Sequence, residues 1–98
     1  PGIIVTDEII ERGCEMAELS QDSQEILREN LYAEASIANP VDVLATATPE
    51  HYQLAAETLM KDPNVDIVFV NFITPFFVDT EGVARGLVEV AREASKPM

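Results

Sequence analysis

Only 6 basic residues stand against 18 acidic ones in these 98 residues, a formal charge of −12. That shortage of positive charge excludes more than any motif does. Such a surface repels nucleic acid and anionic membrane, so neither is expected as a partner. Acidic substrates are repelled too, unless a helix N-terminus or a second chain supplies local attraction. One cysteine, Cys14, excludes an internal disulfide and a cysteine-cluster metal site, and fits a reducing cytoplasm. Cys14 reads as a small buried hydrophobe rather than a reactive thiol. No apolar run approaches the roughly 18 residues of a membrane span. The first residues carry neither the basic nor the apolar stretch of a signal peptide. A cytoplasmic location is expected. Repeats, low-complexity segments and linkers are absent, so one domain is expected.

Histidine and glycine are also scarce. The one histidine, His51, lacks the partner and tight glycine loop that a base or phosphate acceptor needs, and reads as a surface residue beside Glu50. The only glycine near a helix start is Gly2, after Pro1. A complete glycine-rich phosphate loop would have to extend upstream of it. Both ends look cut: Pro1-Gly2 runs straight into apolar residues, and Lys96-Pro97-Met98 stands where a further strand would begin.

What is present is a strand, a loop and a helix in series. Residues 66–72 (DIVFVNF) are apolar at nearly every position, as in a strand covered on both faces of a parallel sheet. Thr74-Pro75 ends it, because proline has no N–H for a ladder. Asp79 or Thr80 can cap the next helix, with Glu81 in its first turn. Val83, Leu87, Val90, Ala91 and Ala94 form one apolar stripe on it. This is half of a β-α-β unit, whose ligands sit beyond strand ends and beside helix N-termini. Residues 73–78 are therefore the first place to look for a site. The hydroxyl of Thr74 and the amides of 76–79 could hold an anion. Phe76 and Phe77 could instead pack on another domain. A receiver domain would want an acidic residue at the strand end, where Asn71 and Phe72 stand.

Upstream, residues 2–12 read as a helix with Ile3, Val5, Ile9 and Ile10 inward, ended by Gly13. Residues 14–19 read as a short strand. Ser20 caps a helix over 21–31 whose apolar edge is Ile26, Leu27 and Leu31. Asn39-Pro40 breaks the chain, and residues 41–44 are briefly extended. Asp42 suits a local turn better than a ligand contact. Thr48-Pro49-Glu50 starts a helix that runs to Lys61, with Tyr52, Ala55, Ala56 and Leu59 inward. Asp62-Pro63-Asn64 ends it as a turn.

The combination Asn39-Pro40-Val41-Asp42-Val43, Ala47-Thr48-Pro49-Glu50-His51-Tyr52, Asp62-Pro63-Asn64-Val65-Asp66 and Ile73-Thr74-Pro75 resembles the NDP-forming acyl-CoA synthetases. The resemblance covers nearly the whole chain. It implies a ligase domain of the succinyl-CoA synthetase superfamily: an α/β, flavodoxin-like fold with a parallel open sheet and flanking helices, here incomplete. Pro1-Gly2 is similar to the end of that family's Gly-Gly-Pro-Gly loop. The implied chemistry converts acyl-CoA, phosphate and ADP into acid, CoA and ATP, through an acyl phosphate and a phosphohistidine. Helix N-termini would stabilise the phosphate and acyl groups, at Pro1, Gly2 and Ile3 and at Thr74, Pro75, Phe76 and Phe77. Asn39 and Asp42 are secondary candidates. CoA and ADP or ATP, with Mg2+ beside the nucleotide, would be bound by other domains, and no metal by this one. CoA-binding and ATP-grasp domains or subunits are the implied partners, within an oligomer, and the isolated piece is expected to be inactive.

Two departures sharpen the comparison. No loop looks like a phosphohistidine site, so that histidine would lie in a sister domain. The succinyl-CoA synthetase branch has a Gly-Gly pair where Thr74-Pro75 stands, and Pro75 removes one amide donor. This second departure fits the acetate-type, ADP-forming branch better. Two rival readings are a ligand-sensing domain fused to a protein lysine acetyltransferase and a docking module using Phe76 and Phe77.

Overall fold

The computed structural model describes residues 2–72 and 79–98. Its regular elements are four helices: α1 (Gly2–Glu11), α2 (Gln21–Asn30), α3 (Pro49–Lys61) and α4 (Thr80–Glu93). Each begins or ends where local chemistry requires. Ser20 caps α2 by accepting from the Ser23 N–H, and Asp79 caps α4 by accepting from the Gly82 N–H. Gly13 ends α1 at φ +91°, in the left-handed region that favours glycine. There the Gly13 N–H bonds to the Ile10 carbonyl and the Cys14 N–H to the Ile9 carbonyl, the paired pattern of a Schellman end.

The core is built around α3, which packs on both α2 and α4. Leu27 from α2 and its C-cap Leu31, Ala55, Ala56 and Met60 from α3, and Val90 from α4 meet Leu19, Val65 and Val68. Ile26, read as inward, is exposed. Gly86, not Ala91, completes the buried stripe of α4, because α3 comes close there. A Cβ at Gly86 would lie 3.1 Å from the Gln53 Oε1. Helix α1 packs on no other helix among the described residues. Ile3, 77% exposed, and Ile10 turn outward, and Cys14 is exposed rather than buried.

The expected strands do not pair into a ladder among the described residues. Residues 67–72 have strand periodicity: Val68 is buried and Val70 and Phe72 half-buried, while Ile67 (64%), Phe69 (65%) and Asn71 point out. One face packs on the helices and the other is open, so 66–72 is not covered on both faces. The Val68 N–H bonds to the Pro97 carbonyl at 3.0 Å. Residues 14–19 form no strand ladder either, and side-chain amides serve the carbonyls of 17–19. Asn39 donates to Ala17, Asn64 to Glu18 and Gln24 to Leu19, each at 3.0 Å. The brief extension at 41–44 is a single antiparallel bridge, Ser36 with Asp42, closing the loop that carries the cis Asn39–Pro40 bond.

Asp62 joins these parts. It is 2% exposed at the end of α3. Its carboxylate accepts from the Ser20 N–H at 2.8 Å and the Asn64 N–H at 2.8 Å, while its carbonyl accepts from the Lys96 Nζ at 2.5 Å. Burial alone would raise its pKa. Hydrogen bonds from the Ser23 side chain, the Asn64 and Ser20 backbones and the Ser20 side chain outweigh burial and hold it below the usual carboxylate value. The exposed pairs Glu8–Arg12 and Glu81–Arg85 add little by comparison.

Because the folded Asp62 pKa is depressed, its stabilisation is present above the ordinary carboxylate range, about pH 4. It is lost as pH falls through that range toward the folded value. Asp62→Asn presents an amide where two backbone donors point, and is expected to cost about 2–4 kcal/mol in urea unfolding at neutral pH. Its stability should also vary less between pH 5 and 3 than that of the wild type. Gly82→Ala would overlap the Asp79 carboxylate and break the α4 cap, costing roughly 1–2 kcal/mol. Gly86→Ala meets only the flexible end of Gln53 closely and is expected to stay within about 1 kcal/mol of wild type, since alanine favours helix. Thermal unfolding of the two variants checks this contrast.

Candidate functional site

The first turn of α3 is locked in both directions. The Thr48 Oγ1 accepts from the His51 N–H at 3.4 Å, and the Thr48 N–H donates to His51 Nδ1 at 3.1 Å. This is a capping box with histidine in the place usually held by Glu or Gln. Pro49, at the first helical position, gives up no hydrogen bond by lacking an N–H. Tyr32 meets the His51 ring edge-on at 4.7 Å, and its hydroxyl reaches the Thr46 carbonyl at 3.5 Å. His51 is thus half-buried and structurally engaged rather than a surface residue.

The starts of α3 and α4 lie side by side. A Cβ on Gly82 would stand 3.1 Å from Pro49 Cγ, a tight contact that glycine avoids. One turn into α3, the Tyr52 ring packs edge-on against Phe72, with centroids 5.1 Å apart. Phe72 ends the stretch 67–72, whose burial alternates along the chain. This end of the molecule therefore gathers two helix N-termini, the strand-like segment's carboxyl end and the loop carrying Asp42. The dipoles of α3 and α4 put partial positive charge here, and Glu50, Asp79 and Glu81 set negative charge against it.

Burial pushes the Tyr52 hydroxyl above its ordinary pKa, and the negative charge of Asp42 raises it further. Tyr52 is therefore a neutral donor at physiological pH. Among the described residues, no group of three or more His, Cys, Asp and Glu is placed to hold a metal ion.

The expected site residues fare unevenly. Pro1, Thr74, Pro75, Phe76 and Phe77 lie outside the described residues. Gly2 opens α1 and Ile3 is exposed on its first turn. The Asn39 amide is engaged with the Ala17 carbonyl, and Asp42 Oδ1 accepts the Leu44 N–H at 2.9 Å, a local turn around a Leu44 held at φ +72°. Both have the structural jobs that turn chemistry favours. Sequence reasoning placed Tyr52 among inward-facing residues but gave it no part in the site. Its neighbours Asp42 and Phe72 lie 10 and 20 positions away in the chain, so only folding brings them together.

Asp42→Asn is expected to lower the pH at which Tyr52 ionises, since it removes one of the two causes that raise it. Tyrosinate absorbance during alkaline titration, with Tyr32→Phe to isolate the signal, measures this. An unchanged titration would show that the Asp42 charge does not reach the phenol.

No protein-family model matches the chain. It is 38% identical over 96 residues to the alpha subunit of acetate–CoA ligase [ADP-forming] II of Pyrococcus furiosus, covering 92% of this chain and 21% of that protein. It is 35% identical over 75 residues to acetate–CoA ligase [ADP-forming] I of Archaeoglobus fulgidus, covering 76% of this chain and 11% of that one. Among solved structures, a Pyrococcus horikoshii OT3 protein matches with a TM-score of 0.81 at 34% identity, over 95% of this chain and 22% of its own. The dinucleotide-forming acetyl-coenzyme A synthetase 1 of Ca. Korarchaeum cryptofilum matches in its apo form with a TM-score of 0.85 at 25% identity, over 97% of this chain and 21% of its own. Its complex with phosphate and ADP shares the fold, with a TM-score of 0.86 at 23% identity, over 98% of this chain and 21% of its own. The chain spans about a fifth of the length of the first of these relatives. Over nearly its whole length, this chain is similar to a stretch of the ADP-forming acetate–CoA ligases.

Proposed function

We propose that this chain is one ligase domain of an acetate-type, ADP-forming acyl-CoA synthetase. The whole enzyme would turn acyl-CoA, phosphate and ADP into free acid, CoA and ATP. The likeness to two proteins named as ADP-forming acetate–CoA ligases carries this reading. The fold we assign is the flavodoxin-like parallel sheet. Its support is the period-two burial of residues 67–72, the helices on one side of them, and the open apolar side presented by Ile67 and Phe69. All 98 residues are taken as one domain within a longer, multidomain protein.

The chain's own part is electrostatic. Backbone N–H groups of Gly2 and Ile3 and of Thr74, Phe76 and Phe77 would hold the phosphate or acyl group, with Pro1 and Pro75 shaping the two loops. Thr74 adds a hydroxyl, and Pro75 withholds one amide. Asn39 and Asp42 would shape this end rather than touch the ligand. The phosphohistidine is assigned to a sister domain, since Nδ1 of His51 already takes the Thr48 N–H. One solved relative was determined with phosphate and ADP. We assign the nucleotide and its Mg2+, and CoA, to CoA-binding and ATP-grasp domains or subunits of the same oligomeric, cytoplasmic enzyme. No helix among the described residues is long and apolar enough to cross a membrane. The Pyrococcus furiosus and Archaeoglobus fulgidus relatives are named as ligases, and the acetyltransferase-fusion reading gains nothing from them.

The test uses the full-length gene product with any partner subunit. Given acetyl-CoA, ADP and phosphate, it is expected to release ATP and free CoA one for one. Acetyl groups on protein lysines without ATP would overturn the reading. Phe76→Ala and Phe77→Ala in intact complexes are expected to lower turnover. Lost assembly with unchanged turnover per complex would make these residues a docking surface.

A further inference from the structure

Asp62 is a buried carboxylate that the proposed chemistry does not use. It stands between two helices of opposite polarity. It caps the C-terminus of α3, beside that helix's negative end. Its Oδ2 accepts the N–H of Ser20, the residue that caps the positive end of α2, from 42 positions away in the chain. The charge of Asp62 therefore attracts α2 and gains nothing from the dipole of α3. The Ser23 side chain, in the first turn of α2, adds a further hydrogen bond to it.

Helix α2 has little else to hold it. Of its ten residues only Ser23 and Leu27 are buried, and Ser23 is polar. Among the described residues α2 packs on α3 but on no other helix, whereas α3 and α4 pack on each other. Gln24 reaches back only to the Leu19 carbonyl. The apolar anchorage of α2 is thus one leucine, with the C-cap Leu31 behind it.

Other features carry less. The open face of Ile67 and Phe69, and the exposed Ile3 and Ile10 of α1, have nothing on them to define an occupant. The groove between α3 and α4, lined by Gln53, Glu57, Glu89, Arg92 and Glu93, is a charged cluster with nothing pointing to a ligand.

We propose that α2 is a separable part of the fold, latched against α3 by the charged carboxylate of Asp62. Neutralising that carboxylate sets a poorer acceptor before the Ser20 and Asn64 N–H groups, and α2 then opens as a unit while α4 stays folded. Opening parts the walls of a groove of about 380 Å3, formed by Ser20, Ser23 and Ile26 with Leu54, Thr58 and Lys61. The other charged groups around the latch are Asp22, Glu57 and Lys61, which line this groove, and Lys96, on the main-chain carbonyl of Asp62. Hydrogen bonds favour the ionised carboxylate, so the latch is shut at neutral pH.

Hydrogen exchange of the full-length gene product at neutral pH, read peptide by peptide by mass spectrometry, tests this. In the wild type, α2 amides are expected to be at least about tenfold less protected than those of α4. Asp62→Asn is expected to lower α2 protection by about thirtyfold or more, or to abolish it, with α4 still protected. Asp22→Asn, which neutralises an exposed acid in the same turn, is expected to change α2 protection by no more than about fivefold. If Asp62→Asn does not fold, Ser23→Ala replaces it, with an expected loss of about fivefold or more. One shared protection factor for α2 and α4 would overturn the proposal, since α2 would then open only with the whole fold. So would unchanged α2 protection in Asp62→Asn or its replacement, or an equal loss in Asp22→Asn.

Discussion

Asp62 sits where the start of α2, the end of α3 and the extended stretch 65–72 converge, and the rest of the fold is held relative to it. A carboxylate at 2% exposure is tolerable only when its lone pairs are used. Here backbone donors from Ser20 and Asn64 and hydroxyls from Ser20 and Ser23 use them. The same bonds that relieve the buried charge fix the direction in which α2 leaves α3. They also fix the turn from which residues 65–72 begin. That coupling explains why the acidic residue tolerates burial in a chain already carrying twelve net negative charges.

The extended segments follow a second constraint. Strand-forming sequence needs a neighbouring strand to satisfy its backbone, and among the described residues the neighbour is largely missing. Residues 17–19 solve this with three amide side chains, from Asn39, Asn64 and Gln24. Two of those residues, Asn39 and Asn64, belong to the motifs that carry the family resemblance. Their visible work is to hold backbone, not ligand. Residues 67–72 keep the alternation of a strand and bury one face only, leaving Ile67 and Phe69 outward.

At the other end of α3, rigidity and charge meet. Two helix starts lie side by side at Gly82, where a Cβ would stand 3.1 Å from Pro49 Cγ, and the Tyr52–Phe72 ring contact ties the end of 67–72 to them. An anion-binding role needs donors held still before the charge arrives, because reorganising them would consume the binding energy. The caps, the proline at the start of α3 and the ring contacts all remove freedom from this end.

Helix positions were legible in the sequence because their signals are local. Ser20, Thr48-Pro49, Asp79 and Gly13 each act within a few residues of where they stand, so each was readable before folding. The turn role of Asp42 was legible for the same reason. The burial of Ile3, Ile10 and Cys14 was misjudged, because an apolar residue turns inward only if another layer is there to receive it. A partner strand for 66–72 is not seen among the described residues, because β-propensity favours an extended backbone without supplying a partner. Tertiary structure alone decided the roles of Asp62, Asn39 and Tyr52, whose partners are distant in the chain. The sequence by itself determined where helices start and stop and which family the motifs resemble. Which face of each segment is covered, and which groups meet at the end of α3, depended on contacts between distant residues, and these exist only once the chain is packed.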